Sequence, residues 1–215
     1  MTREELLVSL SARILALPED RAVTVAVDGM SCVGKTTLAH ELAAVVSGAG
    51  RPVLPISYDD FHHPREVRHR LERLSAEGYL RDSYDPQALR RLVLDPVAVG
   101  EPVVPASFDL AADTAVAPEP LELPPGAVVI VEGEFLLRDE LDGWDLSVLL
   151  VADPASVVAR ALVRDSDLGT PEQVRELYLR RYLGAWSLYE ERSDPWSRAD
   201  VVIDLTDPDL PRQLG

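Results

Sequence analysis

Glycine, lysine and hydroxyl side chains recur near residue 30 at a spacing that suits a chain of phosphates. Residues 29–36 are Gly-Met-Ser-Cys-Val-Gly-Lys-Thr, which meets the pattern G-x-x-x-x-G-K-[ST]. Glycines let the backbone turn so that successive N–H groups point at phosphate oxygens, and the start of a helix adds partial positive charge. The nucleotide-binding residues predicted from this pattern are Gly29, Met30, Ser31, Cys32, Val33, Gly34, Lys35, Thr36 and Thr37.

Two side chains of this loop have predicted roles in chemistry. Lys35 can reach the β- and γ-phosphates of ATP, and the Thr36 hydroxyl can ligate magnesium. A chance match is disfavoured because a β-branched run, 22–27, precedes the loop and a helical pattern, 36–47, follows it. Cys32 is interpreted as a small residue tolerated in the loop, with a redox-sensing thiol as the alternative.

A transfer of phosphate to a hydroxyl also needs a carboxylate that orients the hydroxyl and accepts its proton. Asp59 and Asp60 follow the second predicted strand, 52–57, and the ends of parallel strands meet at one edge of a sheet. Asp59 and Asp60 are therefore the candidates for this base; Asp60 could instead cap a turn.

Short apolar runs alternate with segments of helical periodicity along the chain. The predicted strands are residues 22–27, 52–57, 127–131, 146–151 and 201–205, and the predicted helices are 3–16, 36–47, 86–94, 156–164 and 171–191. This alternation is typical of βαβ units. The predicted fold is therefore α/β, a three-layer α/β/α P-loop NTPase with a five-stranded parallel sheet. Residues 1–215 are predicted to form a single domain, and the proline-rich residues 95–125 a substrate-binding arm or hairpin.

Composition limits the partners of the chain. The formal net charge of -16 argues against nucleic acid and anionic membranes, which both reward basic surfaces. No run of about 18 apolar residues is present, and the N-terminal residues do not resemble a signal peptide. The single cysteine suits a reducing compartment, so a cytoplasmic location is expected. A homo-oligomer is compatible with the sequence, which does not determine the oligomeric state.

Further motifs follow the phosphate loop in a fixed order. They are Asp59-Asp60-Phe61-His62, Tyr84-Asp85-Pro86, Pro105-Ala106-Ser107-Phe108-Asp109-Leu110, Val129-Ile130-Val131-Glu132-Gly133 and Arg160-Ala161-Leu162-Val163-Arg164-Asp165. From residue 22 to about residue 205 the ordered set resembles the uridine kinase and phosphoribulokinase group of P-loop kinases. The resemblance implies an ATP- and magnesium-dependent kinase that phosphorylates a hydroxyl of a nucleoside or sugar-like metabolite.

The resemblance also implies residue roles. Asp59 would be the base that contacts the acceptor hydroxyl, with Asp60 as the alternative. Asp85 would bind sugar hydroxyls, and Glu132 would lie near the magnesium, directly or through water. Arg164 would stabilise the transferred phosphoryl group from a helical lid over residues 160–181, where Arg160, Arg175, Arg180 and Arg181 compete for the role. The predicted acceptor contacts are Asp59, His62, Tyr84, Asp85, Phe108, Asp109, Asp113, Glu134 and Arg164.

The chain departs from this family where a pyrimidine would be bound. The arm histidine of uridine–cytidine kinases falls on Asp113, the arginine falls on Ala115, and Glu134 replaces an isoleucine. An ionised carboxylate only accepts hydrogen bonds. We therefore expect uridine and cytidine to be poor acceptors and a hydroxyl- or amine-rich metabolite to be a better one. The alternative is that Asp113 and Glu134 face solvent.

A basic segment follows the second acidic motif. It contains His62, His63 and His69 among four arginines, Arg65, Arg68, Arg70 and Arg73. We interpret it as a solvated, mobile segment near the acceptor site; a patch that attracts an anionic substrate is the alternative.

Two other functions remain open at this point. One is a kinase of a pantothenate- or glycerate-type acceptor, and the other is a P-loop ATPase or nucleotide switch. A GTPase would need an Asn-Lys-x-Asp guanine-binding motif, which the sequence lacks. A switch would not need the second set of carboxylates at Asp59, Asp85 and Asp109.

Overall fold

A computed structural model describes residues 1–214 of the chain. The strands are β1 (Val23–Gly29), β2 (Val53–Ser57), β3 (Phe108–Asp109), β4 (Thr114–Ala115), β5 (Val128–Gly133), β6 (Leu146–Val151), β7 (Val201–Asp204) and β8 (Arg212–Leu214). The main sheet has the order β2-β5-β1-β6-β7-β8. Its first five strands are parallel, as predicted, and β8 adds an unpredicted antiparallel strand beside β7.

The helices pack around this sheet. They are α1 (Arg3–Leu15), α2 (Lys35–Gly48), α3 (Arg65–Arg68), α4 (Ala76–Asp82), α5 (Pro86–Leu89), α6 (Asp95–Val99), α7 (Pro154–Arg164), α8 (Pro171–Leu177), α9 (Leu183–Ser193) and α10 (Pro195–Arg198). A π-helical turn at Arg90–Leu94 joins α5 to α6, and another at Tyr178–Tyr182 joins α8 to α9. None of the helices in residues 1–214 has the length and apolar character needed to cross a bilayer.

The central strands of the sheet are covered on both faces and form the middle of the hydrophobic core. Every residue of β1, β5 and β6 is buried, which explains their nearly continuous apolar sequences. Asp28 is a buried exception, and its carboxylate accepts hydrogen bonds from the Gly29 and Leu137 N–H groups and from the Tyr189 hydroxyl. Burial raises the pKa of Asp28, and these donors oppose that shift.

The proline-rich region differs in part from the predicted arm. Its first residues form α6, because a helical turn continues through Pro96 at an N-terminal position where proline is tolerated. The hairpin itself is shorter than the predicted range: β3 pairs with β4, and Val103 pairs with Leu121 at its base.

Strand order brings the predicted chemistry to one edge of the sheet. β5 lies between β1 and β2, and Ser57 at the end of β2 pairs with Glu132 near the end of β5. The phosphate loop leaves the end of β1 at the same edge. The residues that follow these three strands are therefore neighbours in space.

Candidate active site

The phosphate loop joins β1 to α2 through two glycines that the geometry requires. A Cβ atom on Gly29 would lie 2.5 Å from the Leu150 carbonyl oxygen, so the strand admits no side chain there. Gly34 has a φ of 110°, a conformation that favours glycine, and it directly precedes α2. The Lys35 ammonium donates a hydrogen bond of 3.0 Å to the Met30 carbonyl, which folds the side chain back over the loop.

A cavity of about 260 Å³ lies against this loop. Five predicted nucleotide-binding residues border it together with two arginines of α7; the set is Cys32, Gly34, Lys35, Thr36, Thr37, Arg160 and Arg164. We call it the nucleotide cavity. Loop residues Met30 and Val33 are buried in the core beneath it.

Cys32 is held in the loop with a φ of 58°, and its Sγ atom lies 3.2 Å from the Tyr178 hydroxyl oxygen. Burial raises the pKa of its thiol, which disfavours the reactive thiolate. This environment favours the interpretation of Cys32 as a tolerated loop residue over a redox sensor.

A second cavity of about 350 Å³, the acceptor cleft, lies beside the first. Five of the predicted acceptor contacts line it, namely Asp59, His62, Tyr84, Glu134 and Arg164. Lys35, Thr36 and Arg164 border both cavities. A nucleotide in one cavity and an acceptor in the other would therefore meet at these three side chains.

Asp59 is held at the cleft by an aromatic neighbour. The Tyr84 hydroxyl donates a hydrogen bond of 3.2 Å to Asp59 Oδ1, and His62 Nδ1 lies 2.8 Å from the Asp59 carbonyl oxygen. An antiparallel backbone bridge joins His62 to Tyr84, and their ring centroids are 4.3 Å apart. The Asp59 side chain is 58% exposed, so one side of the carboxylate remains accessible. Burial lowers the pKa of His62, which favours its neutral form.

Asp60, the alternative base, does not line the cleft. Its pKa is raised by partial burial and by the neighbouring charge of Asp59. Its carbonyl accepts the N–H of Ser107, which attaches the hairpin to the acidic motif.

Glu132 connects the phosphate loop to the end of β2. It accepts hydrogen bonds from Thr36 Oγ1 at 3.1 Å and from Ser57 Oγ at 2.9 Å. A hydroxyl beside one carboxylate fits magnesium, which takes few protein ligands and completes its shell with phosphate oxygens and water. Within residues 1–214 no group of three or more His, Cys, Asp or Glu side chains is arranged to hold a metal ion.

Glu134 lies in the wall of the acceptor cleft and not at the protein surface. Its Oε1 atom is 3.9 Å from Lys35 Nζ and accepts a hydrogen bond of 3.1 Å from the Tyr79 hydroxyl. Its Oε2 atom is buried without a hydrogen-bond partner. Burial raises the pKa of Glu134, and the positive charge of Lys35 opposes that shift.

Arg164 is placed at the end of α7 by two neighbours. Its guanidinium donates to both carboxylate oxygens of Asp165 and to the Tyr178 hydroxyl. Arg160 instead donates to the carbonyls of Leu205 and Thr206 and so packs against the end of the sheet.

Of the other lid arginines, only Arg181 borders the acceptor cleft. Arg180 pairs with Glu176 on the exposed face of the same helix. Arg175 lines neither cavity and is exposed.

Four predicted acceptor contacts do not border the cleft. Asp85 caps α5 by accepting the Ala88 N–H, and Asp109 accepts the N–H groups of Ala111 and Ala112 within the hairpin turn. Phe108 is buried beneath the hairpin.

Asp113 is the fourth, and its carboxylate accepts from the Arg65 N–H and the Arg68 guanidinium. The sequence analysis expected the carboxylates of both Asp113 and Glu134 to face the acceptor. The structure corrects this expectation, because only Glu134 of the two lines the cleft.

Several side chains that the sequence analysis did not select also line the cleft. They are Tyr79 and Ser83 before β3, Leu168 before α8, Leu177 at the end of α8, and Tyr182 in the π-helical turn that follows α8. The ring centroids of Tyr79 and Tyr182 are 4.7 Å apart in an edge-on arrangement. Aromatic residues at helical spacing near 178–189 were the available signal, but helical spacing alone does not distinguish core from cleft.

Comparison with curated protein sequences identifies the family of the chain. No protein-family model matches the chain. A uridine kinase from Deinococcus deserti is 32% identical over 192 residues, which cover 85% of this chain and 87% of that protein. The chain belongs to the uridine kinase family. It is a small-molecule kinase that uses ATP, so the kinase prediction is confirmed and the alternative of a nucleotide switch is not.

Solved structures support the fold. A protein described as a possible uridine kinase from Bacillus stearothermophilus has a TM-score of 0.73 at 24% identity, covering 93% of this chain and 97% of that one. A candidate fructose transport system kinase from Silicibacter sp. TM1040 has a TM-score of 0.72 at 26% identity, covering 90% and 96%. The predicted P-loop α/β fold is confirmed.

Proposed function

We propose that this kinase transfers the γ-phosphoryl group of ATP to a hydroxyl of a small polyhydroxylated metabolite bound beside Asp59. The observation that carries the proposal is the border shared by the nucleotide cavity and the acceptor cleft, formed by Lys35, Thr36 and Arg164. A phosphoryl group at this border can contact both substrates without crossing solvent.

In the proposed reaction, Asp59 orients the acceptor hydroxyl and takes its proton. The hydroxyl oxygen forms a bond to the γ-phosphorus, the bond from that phosphorus to the β–γ bridging oxygen breaks, and ADP leaves with that oxygen. Lys35 and Arg164 stabilise negative charge on the phosphate oxygens during the transfer. Tyr84 holds the Asp59 carboxylate in place through its hydroxyl.

Magnesium is the proposed metal, and Thr36 and Glu132 are the residues that would hold it, directly or through water. When bound, it neutralises phosphate charge. The Ser57 hydroxyl keeps Glu132 oriented toward the loop.

The proposed acceptor is not a pyrimidine nucleoside. The relative from Deinococcus deserti is named for uridine, but here the cleft wall contains Glu134 with an unpartnered buried oxygen. Uracil offers two carbonyl acceptors and one N–H, which match a carboxylate poorly. A ligand that presents hydroxyl or amino donors would satisfy the Glu134 oxygen.

We also propose a cytoplasmic enzyme that acts on a small molecule and not on nucleic acid. The net charge of -16 and the single cysteine support this assignment.

Steady-state assays of ADP release test the proposed function. The protein with ATP and magnesium is supplied with uridine, cytidine, sugars, aminoalcohols and hydroxy acids, and phosphorylated products are identified by mass spectrometry. We expect ADP release to depend on one acceptor class. Slow release that is independent of every acceptor would contradict the kinase proposal. A kcat/KM for uridine of roughly 10⁴ M⁻¹s⁻¹ or more would contradict only the acceptor assignment.

A further inference from the structure

The acceptor cleft is basic although the protein as a whole is strongly acidic. The formal net charge is -16, yet Arg68, His69, Arg73 and Arg181 line this cleft in addition to Lys35 and Arg164. The first four do not border the nucleotide cavity. They form what we call the basic wall, and the charge of its three arginines is therefore not explained by the phosphates of ATP.

Arg181 is the most deeply placed member of the basic wall. It is 7% exposed, it donates to the Arg73 carbonyl oxygen, and its guanidinium lies 4.9 Å from the centroid of the Tyr79 ring. It forms no ion pair with a carboxylate of residues 1–214. A buried cation without a counter-ion is unfavourable, and the face of one aromatic ring compensates only part of that cost.

The neighbouring cations add to the positive potential. The Arg73 side chain likewise has no carboxylate partner in the described part of the chain, whereas Arg68 pairs with Asp113 at 2.9 Å. The pKa of His69 is lowered, first by desolvation and then by the charges of Arg181 and Arg68. The wall therefore contains more positive charge than its own carboxylates neutralise.

The Tyr79 side chain connects this wall to the site of transfer. Its ring lies under Arg181, and its hydroxyl donates to Glu134, whose carboxylate is beside Lys35. One tyrosine thus separates the basic wall from the phosphate loop. Both groups line the same cavity of about 350 Å³, so one small ligand in that cavity can contact both.

The same cleft contains two buried polar atoms without partners. Among residues 1–214, neither Ser83 Oγ nor Glu134 Oε2 has a hydrogen-bond partner, and both residues line the cleft. Buried polar groups are normally satisfied, so such atoms point to a ligand that supplies the missing partners.

We propose that the acceptor carries an anionic group, a carboxylate or a phosphate monoester, that Arg73 and Arg181 bind while a hydroxyl of the same molecule lies at Asp59. This inference rests on the proposed function and specifies its substrate class. Guanidinium groups suit both anions because they can donate two parallel hydrogen bonds to either. The basic wall would also attract an anion against the repulsion of the acidic surface.

Calorimetric titration of matched probes tests the proposal. The full chain is first saturated with magnesium and a non-hydrolysable ATP analogue so that the nucleotide cavity is filled. Ribose 5-phosphate is then compared with ribose, and glycerate with glycerol. We expect the anionic member of at least one pair to bind about tenfold or more tightly than its neutral partner. The pair that shows the difference identifies the anion as phosphate or carboxylate.

Two variants connect this preference to the wall. Arg73→Gln should abolish the preference. It should fold because, in the described part of the chain, the Arg73 side chain makes no hydrogen bond, and the bond from Arg181 goes to the Arg73 backbone carbonyl. Arg70→Gln is the matched control, since Arg70 is exposed in the same segment and does not line the cleft, and it should keep the preference.

Three results would overturn the inference: equal binding within both pairs, no binding by any probe, or a preference that survives Arg73→Gln. Each of these leaves the proposed kinase function standing if acceptor-dependent ADP release is observed. Acceptor-independent hydrolysis would instead reject the function itself.

Discussion

The Lys35 ammonium and the Glu134 carboxylate form a buried pair at the border of the two cavities. Their Nζ and Oε1 atoms are 3.9 Å apart, and the side chains are 11% and 6% exposed. Lys35 also donates a hydrogen bond to the Met30 carbonyl, so its ammonium group interacts with two oxygen atoms of the protein itself. The pair places a carboxylate beside the cation that is proposed to bind the transferred phosphate.

Lys35→Ala should lower kcat by about 10²-fold or more, because loss of a preorganised donor to developing charge has costs of this size. The variant also leaves Glu134 buried without its positive neighbour. Lys35→Ala combined with Glu134→Gln should therefore regain thermal stability but not activity. Turnover of Lys35→Ala within about threefold of wild type would contradict the assigned role of Lys35 on that scale.

The pH dependence of stability should identify Glu134 as a buried acid. Burial raises its pKa in the folded protein, so folding favours the protonated form. The associated stability is present below the ordinary pKa of a glutamate and is lost as pH rises through the folded-state pKa. The Tm of Glu134→Gln minus the Tm of wild type should therefore become larger as pH rises.

Differential scanning calorimetry from about pH 4 to about pH 8 measures this difference. Glu176→Gln is the control, because Glu176 is an exposed glutamate of α8 that pairs only with Arg180. Its Tm difference should change little over the same range. A constant Tm difference for Glu134→Gln would show that this carboxylate does not titrate as its burial implies.

Asp59→Asn should greatly lower acceptor phosphorylation while ATP affinity changes little, because the change removes the proton acceptor and keeps the shape. Tyr84→Phe should produce a smaller loss, since it removes only the hydroxyl that holds the carboxylate. Asp60→Asn is the matched control: Asp60 is adjacent but does not line the cleft. Single-turnover rates and nucleotide titrations separate the two effects. If Asp60→Asn were the damaging change, the two carboxylates would have been assigned in the wrong order.

The sheet and phosphate loop were predictable because their signals are local. The fully buried strands β5 and β6 have apolar sequences that few other structures explain, and the loop pattern lies between a strand and a helix. β8 carried no such signal, since its three residues, Arg212–Leu214, are partly polar and form a strand only by pairing with β7.

The acceptor site was less predictable because tertiary contacts decide it. Asp113 occupies the motif position of a base-binding residue, but Arg68 and the Arg65 N–H bind its carboxylate outside the cleft. Arg181 appeared only as one of several competing lid arginines. Its place above Tyr79 depends on the packing of α4 against α9 and the π-helical turn at Tyr178–Tyr182, which no spacing in the sequence reveals.

Arg164→Gln should lower kcat by about 10³-fold, the effect expected of an arginine that stabilises the transition state of phosphoryl transfer. Its KM for ATP should change much less, because Lys35 and the loop N–H groups still bind the phosphates. Arg175→Gln is the control, since Arg175 is exposed in the same lid segment and lines neither cavity.

Arg164 also provides a test of whether the helical lid closes over the nucleotide. Arg164 is 57% exposed and linked to Asp165 and Tyr178. If a bound nucleotide draws the guanidinium inward while these links persist, residues 164–170 move with it. Hydrogen exchange in this segment should slow when a magnesium–ATP analogue binds the wild type and should slow less in Arg164→Gln. Unchanged exchange in the wild type with nucleotide and acceptor both bound would show that the segment is a fixed wall and not a lid.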